Sequence, residues 1–193
     1  MKKVGIYSGI FDPVHKGHLA FAKEALNTLD IVYFLPEKTP RRKSGCAPYE
    51  DRVEMLELAT ANLKGLHVLK ISDQEQYTVA ETLPRLQKIF MGEELYLMMG
   101  SDQFEYLSTW PGAKQLADAV QFIIGCRDEC QPEDLTRLAK KMPTLPQYST
   151  VRTAEQYTSS SSIRAALKEG QAVDLPQAVL EYIQTKGLYQ PVY

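Results

Sequence analysis

Two histidines three residues apart, His15 and His18, stand in the stretch GIFDPVHKGHLAFAKEA, between glycines and a run of helix formers. The residues before it, KKVGIYS, are short, apolar and β-branched, as a strand requires. The pair therefore falls where a strand gives way to a helix. At such a junction the first N–H groups of the helix lack partners and its dipole favours an anion. Imidazoles at His15 and His18 would add N–H donors beside that anion. The chemistry suggested is phosphate binding, with stabilisation of charge developing on a transferring phosphate. Gly9 permits close backbone approach or a positive φ, Asp12-Pro13 shapes a turn, and Gly17 lets the helix start approach a ligand. Two other uses stay open on these residues alone. The histidines could cap the helix or lie exposed, or they could bind a metal, although no third ligand stands nearby in sequence.

The elements that must position this junction alternate along the chain. Residues 3–8, 31–36, 66–72, 94–100 and 120–127 read as strands, and 144–151 as extended. Residues 16–28, 49–63 and 78–90 read as helices, with Leu19, Ala22, Ala25 and Leu26 on one face of the first. Val53, Leu56 and Ala59 or Thr60 line one face of the second. Further helices follow Pro132, start at the serine run 159–162 and stop at Gly170, and close the chain before Gly187. Strands alternating with helices imply parallel βαβ units, and strands that are continuously apolar fit a sheet covered on both faces. The expected fold is α/β: one Rossmann-like, doubly wound domain over residues 1–193, with a mostly parallel central sheet and helices gathered at the C-terminal end. Ligands of such sheets bind beyond the carboxyl ends of the strands, where the strand order reverses.

Composition narrows the partners. A formal net charge of −2 argues against a general nucleic-acid or membrane-surface binder. The longest apolar runs, such as VQFIIGC, are too short to cross a bilayer, and glycines and Asp12 interrupt the N-terminal stretch too early for a signal peptide. Three cysteines, Cys46, Cys126 and Cys130, cannot form a full disulfide framework. Reduced thiols in a cytoplasmic protein are the expectation. Copies of the chain could also assemble into a homo-oligomer, which the sequence leaves open.

GIFDPVHKGH resembles the G-x-F-D-P-x-H-x-G-H signature of the nucleotidyltransferase superfamily, whose H-x-G-H is related to that of class I aminoacyl-tRNA synthetases. A second signature of that superfamily, S-x-x-x-I-R or I-S-S-T-x-I-R at the start of a C-terminal helix, has its counterpart in TSSSSIR, Thr158 to Arg164. Hydroxyls, backbone N–H groups and a guanidinium together form a phosphate cradle, although a serine run can also be only an over-supplied helix cap. The resemblance implies that His15, His18 and Arg164 are catalytic and contact the phosphates of ATP. It places Ser161 and Ile163 at the second signature's helix start, and Gly9, Ile10 and Phe11 along the nucleotide. The implied reaction is adenylyl transfer: a substrate phosphate attacks the α-phosphorus of ATP, pyrophosphate leaves, and no covalent enzyme intermediate forms. Magnesium would accompany ATP, with no residue of the chain assigned as its ligand.

The segment MMGSDQFEYLSTWPGAKQLADAVQFIIGCR resembles the bacterial nicotinate-mononucleotide adenylyltransferases at Gly100, Asp102, Trp110 and Arg127. DRVEMLELA, QYTVAETL and LPQAVLEYIQTKGLY are similar as well, so the likeness covers nearly the whole chain. It implies Gly100 and Asp102 on the ATP side, with Asp102 at the ribose hydroxyls. Trp110 would stack along the pyridine ring, Tyr77 and Thr78 would border the mononucleotide pocket, and Lys43, Arg52 and Arg127 would contribute to it. Read as residues alone, Trp110 is a packing residue, Asp102 and Thr78 are helix caps, and Arg52 pairs with Glu50, Asp51, Glu54 or Glu57. Two places depart from the family pattern. TPRRKSG replaces P-P-H-K, so that Lys43 stands in for the lysine while Arg41 and Arg42 have no counterpart, and Thr78 and Thr82 are four apart with Glu81 at the usual second threonine. The expected substrates are ATP and nicotinate mononucleotide. The alternatives are nicotinamide mononucleotide or phosphopantetheine as acceptor, or a non-catalytic nucleotide-binding module.

Overall fold

The computed structural model describes residues 1–39, 45–71, 76–126, 130–152 and 159–190. Six strands form one sheet: β1 (Lys3–Gly9), β2 (Ile31–Pro36), β3 (Leu66–Val68), β4 (Glu94–Gly100), β5 (Gln121–Cys126) and β6 (Tyr148–Arg152). Their order is β3-β2-β1-β4-β5-β6 and every neighbouring pair is parallel. The mostly parallel sheet expected from sequence is thus wholly parallel among the described strands. The helices are α1 (Lys16–Ala25), α2 (Tyr49–Thr60), α3 (Val79–Ile89), α4 (Ser101–Tyr106), α5 (Ala113–Ala119), α6 (Pro132–Ala139), α7 (Ser160–Lys168) and α8 (Gln177–Lys186). A 3-10 turn, Leu107–Thr109, follows α4.

Alternation along the strands divides the core. Val32, Phe34, Tyr96, Met98 and Ile123 pack on one face with residues of α1, α2, α7 and α8. Met99, Phe122 and Ile124 pack on the other with residues of α3 to α6. Both faces are buried, which explains why the strands read as unbroken apolar runs rather than as alternating ones. β1 lies between β2 and β4, so the strand order reverses beside it. The crevice that this topology opens lies beyond Gly9 and Gly100.

Several element ends differ from expectation for local reasons. α1 stops at Ala25 because Asn27 and Thr28 are weak helix formers and the chain closes there with tighter turns onto Glu24 and Ala25. β3 is only three residues long. α5 is short and follows Gly112, whose φ of 84° no side-chain-bearing residue adopts easily; the sequence pattern gave no helix there.

Candidate active site

The turn leaving β1 holds the first group of residues. Of the two uses open to Gly9, close approach is the one realised: a Cβ there would sit 3.0 Å from the Phe11 ring. The positive φ falls instead on Phe11, at 52°, and the Asp12-Pro13 peptide that follows is cis. The Phe11 ring meets the His18 ring edge-on at 5.0 Å and packs against Tyr7 and Phe34. His15 is the N-cap residue of α1 and His18 lies in its first turn. Their rings are stacked, 3.7 Å between centroids and 24° between planes. The His15 backbone N–H donates to Nδ1 of His18 at 3.3 Å. A neutral His18 therefore carries its proton on Nε2, as a donor turned away from its own backbone.

The second signature is brought onto this turn from the far end of the chain. Ser159 caps α7: its hydroxyl accepts from the Ser162 N–H at 3.1 Å, and its own N–H donates to the Ser162 hydroxyl at 3.3 Å. The Ser160 hydroxyl donates to the Pro13 carbonyl at 3.0 Å. Nη1 of Arg164 donates to the Asp12 carbonyl at 2.7 Å and lies 3.5 Å from its carboxylate. The serine run is therefore divided between capping and docking. Ser161 is exposed at the helix start and Ile163 is buried beneath it. The histidine pair, Arg164 and two helix N-termini share one small region.

Two buried charges hold that region. Asp12 is only 2% exposed, and its Oδ1 accepts from the Ala47 N–H at 3.0 Å and from the Tyr189 hydroxyl at 2.6 Å. Burial, then the neighbouring Asp12 carboxylate, pushes the Cys46 thiol up from its ordinary pKa. Arg52 is 1% exposed, and its guanidinium donates to four carbonyls: Ala47 at 3.0 Å, Ile10 and Glu37 at 2.8 Å, and Lys38 at 2.9 Å. It ties the chain beyond β1 to the chain beyond β2. In the structure the guanidinium is bonded to these carbonyls rather than to the acidic neighbours Glu50, Asp51, Glu54 or Glu57, and so positions the two loops.

The cytidylyltransferase-like family profile matches residues 6–166. A protein of Geobacillus thermodenitrificans named "Probable nicotinate-nucleotide adenylyltransferase" is 33% identical over 98% of this chain and 87% of its own. One of the same name from Solibacter usitatus is 34% identical over 97% of this chain and 99% of its own. The chain belongs to the nicotinate-nucleotide adenylyltransferase family. In fold it is similar to Plasmodium falciparum nicotinic acid mononucleotide adenylyltransferase complexed with NaAD. That likeness has a TM-score of 0.80 at 20% identity and covers 98% of both chains.

The other residues singled out from the sequence follow β4 or stand at the start of α3. Asp102 sits in the first turn of α4, capped by Gly100 rather than acting as the cap itself. A Cβ at Gly100 would come within 2.3 Å of Asp102 Oδ1, so the carboxylate, as it stands, folds back over the glycine. Trp110 follows the 3-10 turn, packs partly against the cluster containing Leu107 and keeps part of its ring exposed. Thr78 caps α3: its hydroxyl accepts from the Glu81 N–H at 3.2 Å, while its own N–H donates to Thr82 Oγ1 at 3.1 Å. The four-residue threonine spacing is a helix cap. The Tyr77 hydroxyl donates to the Pro36 carbonyl at 2.8 Å, and burial raises its pKa. Lys43 and Arg127, with Arg41, Arg42 and Thr158, lie outside the described residues.

Sequence reasoning read Asp12 as a turn former and did not single out Tyr189. The available signal was a carboxylate placed between Phe11 and Pro13 in an otherwise apolar stretch, and its partner stands 177 residues away.

Proposed function

We propose that this chain joins ATP and nicotinate mononucleotide into the deamido dinucleotide, releasing pyrophosphate. The observation that carries the reading is the docking of α7 on the β1–α1 turn, which gathers Arg164, His15 and His18 at two helix starts. A polyanion is the ligand that such a convergence of donors suits. Full-length similarity to proteins named nicotinate-nucleotide adenylyltransferase supports the choice of acceptor.

The mononucleotide's phosphate oxygen attacks the α-phosphorus of ATP in line, the bond from that phosphorus to the bridging oxygen breaks, and pyrophosphate departs with the electron pair. His18, donating through Nε2, and Arg164 neutralise the charge that grows on the phosphoryl oxygens. Gly9, Ile10 and Phe11 line the nucleotide, Ser161 offers a hydroxyl at the α7 start, and Gly100 and Asp102 receive the ribose. Trp110, Tyr77 and Thr78 border the acceptor. No group of three or more His, Cys, Asp or Glu among the described residues is placed to hold a metal ion. The Asp12 carboxylate is already engaged by Ala47, Tyr189 and Arg164. Magnesium would accompany ATP and supply further charge neutralisation, with no residue of the chain assigned as its ligand. Among the described residues no helix is long and apolar enough to cross a membrane. Three free cysteines support a cytoplasmic setting.

The test is pyrophosphate release from ATP and magnesium with three acceptors in turn: nicotinate mononucleotide, nicotinamide mononucleotide and phosphopantetheine. Preference for the first is expected. Preference for another reassigns the pathway while keeping the chemistry, and release with none moves the protein to the binding-module alternative.

A further inference from the structure

The two non-glycine residues with a left-handed backbone among those described are Phe11, φ 52°, and Tyr189, φ 60°. Bulky side chains rarely adopt that region, and such strain persists where the surroundings over-determine it. Both residues converge on Asp12. Phe11 precedes it in the chain, and the Tyr189 hydroxyl donates to its Oδ1 at 2.6 Å. The route to that bond is built into the end of α8. Gly187 takes φ 63°, the Leu188 N–H returns to the Ile183 carbonyl at 3.0 Å, and the next residue is turned inward. Burial and the adjacent carboxylate push the phenol's pKa up, so it remains a donor.

Asp12 is the group through which Arg164 is held: its carbonyl takes Nη1 at 2.7 Å, and its Oδ2 lies 3.5 Å from the same nitrogen. The Ala47 N–H and the Tyr189 hydroxyl both hold Oδ1, which leaves Oδ2, without a hydrogen bond of its own, facing Arg164. We propose that Tyr189 is a positioning residue for adenylyl transfer, fixing the Asp12 carboxylate so that Arg164 stays aimed at the triphosphate. This rests on the assignment of Arg164 to the triphosphate under the proposed function. Tyr189 touches no reacting atom; it acts through two intervening groups.

The Tyr189→Phe substitution keeps the ring and removes only the donor. Transfer kcat is expected to fall roughly tenfold, the lower range for a hydrogen bond to a charged group. The KM for the mononucleotide should stay unchanged, and circular dichroism should show the folded state intact. Tyr182→Phe, which loosens α8 from Asp51 without touching Asp12, should leave kcat unchanged. In an Arg164→Gln background, Tyr189→Phe should reduce the rate less than twofold further. Full kcat in folded Tyr189→Phe overturns the proposal, as does an equal loss in Tyr182→Phe or a full tenfold loss added to Arg164→Gln. If Arg164→Gln alone keeps full activity, the assignment of Arg164 itself fails and the proposal with it, a result distinct from failure of the tyrosine link.

Discussion

On the β1 side of the crevice the site rests on groups with almost no exposure: Asp12 at 2%, Arg52 at 1% and His15 at 5%. On the β4 side the residues proposed for it are Asp102, which is exposed, and Trp110, which is half-buried. The first half is held by long-range bonds to backbone carbonyls and a buried carboxylate. The second is assembled from neighbours in sequence, a glycine that makes room for a carboxylate and a helix cap at Thr78. The half assigned to the triphosphate is thus fixed before substrate arrives, where preorganised donors contribute most. The half assigned to the ribose of ATP and to the acceptor has more freedom to adapt.

The comparison breaks first if the buried half is not rigid. Arg52→Ala removes a guanidinium from four carbonyls and leaves them buried without it. A loss of about 3–5 kcal/mol is expected, as for removing one side of a buried charged network. The melting temperature should then fall by roughly 10 °C in a chain of this size. Arg52→Lys should rescue little, because one ammonium cannot reach carbonyls spread around a planar fork. A thermal shift of under about 2 °C would mean that water or a side-chain rearrangement replaces the clamp.

His18→Ala tests the same half through chemistry instead of stability. The ring is half-buried, stacks on His15 and accepts from the His15 N–H at 3.3 Å, and the fold should survive its loss. Adenylyl transfer should drop by roughly 100-fold or more, the effect of deleting one transition-state donor. Single-turnover pyrophosphate release measures it, and unchanged turnover would remove His18 from the reaction.

This division also explains what could be read from the sequence. The βαβ order, the two signatures and most helix faces were legible because apolar periodicity and capping residues are local. Pro132 at the start of α6 and Gly187 at the end of α8 are such cases. Local pattern could not assign Arg52, since its partners Ile10 and Glu37 come from loops 42 and 15 residues away. It could not pair Asp12 with Tyr189 or Arg164, because those contacts exist only once the sheet has brought the chain ends together. The threonine spacing was visible and Thr78 could be read as a cap, but the second bond of that cap, from the Thr78 N–H to Thr82, needed the fold to be seen.

The more adaptable half is tested by Trp110→Ala. Its ring packs only partly against the α4–α5 cluster, so the stability cost should be smaller than that of a fully buried aromatic, below about 3 kcal/mol. The larger effect should be kinetic. The KM for the mononucleotide should rise roughly five- to tenfold while that for ATP changes little, the loss of one aromatic stacking contact. If both constants stay put, Trp110 is packing alone and the adaptable half lies elsewhere.

The smallest effect sharpens the comparison between the two tyrosine–carboxylate clasps of the C-terminal region, one buried and one near the surface. The Tyr182 hydroxyl donates to Asp51 at 2.7 Å, joining α8 to α2, with Lys186 alongside. Burial first, then the bond to Asp51, pushes its pKa up to about 12 from 10.0. A phenol whose folded pKa is raised contributes stability that is complete below pH 10 and is lost as the pH climbs towards 12. Tyr182→Phe should therefore be slightly less stable than the parent below pH 10, with the gap narrowing between pH 10 and 12. Urea unfolding across that window reads the difference and cancels the same-signed contribution of two other half-buried tyrosines, Tyr77 and Tyr189. A gap that stays constant with pH would mean that the phenol's proton is not what joins the two helices. The clasp at Asp51 would then be packing, in contrast to the buried one at Asp12.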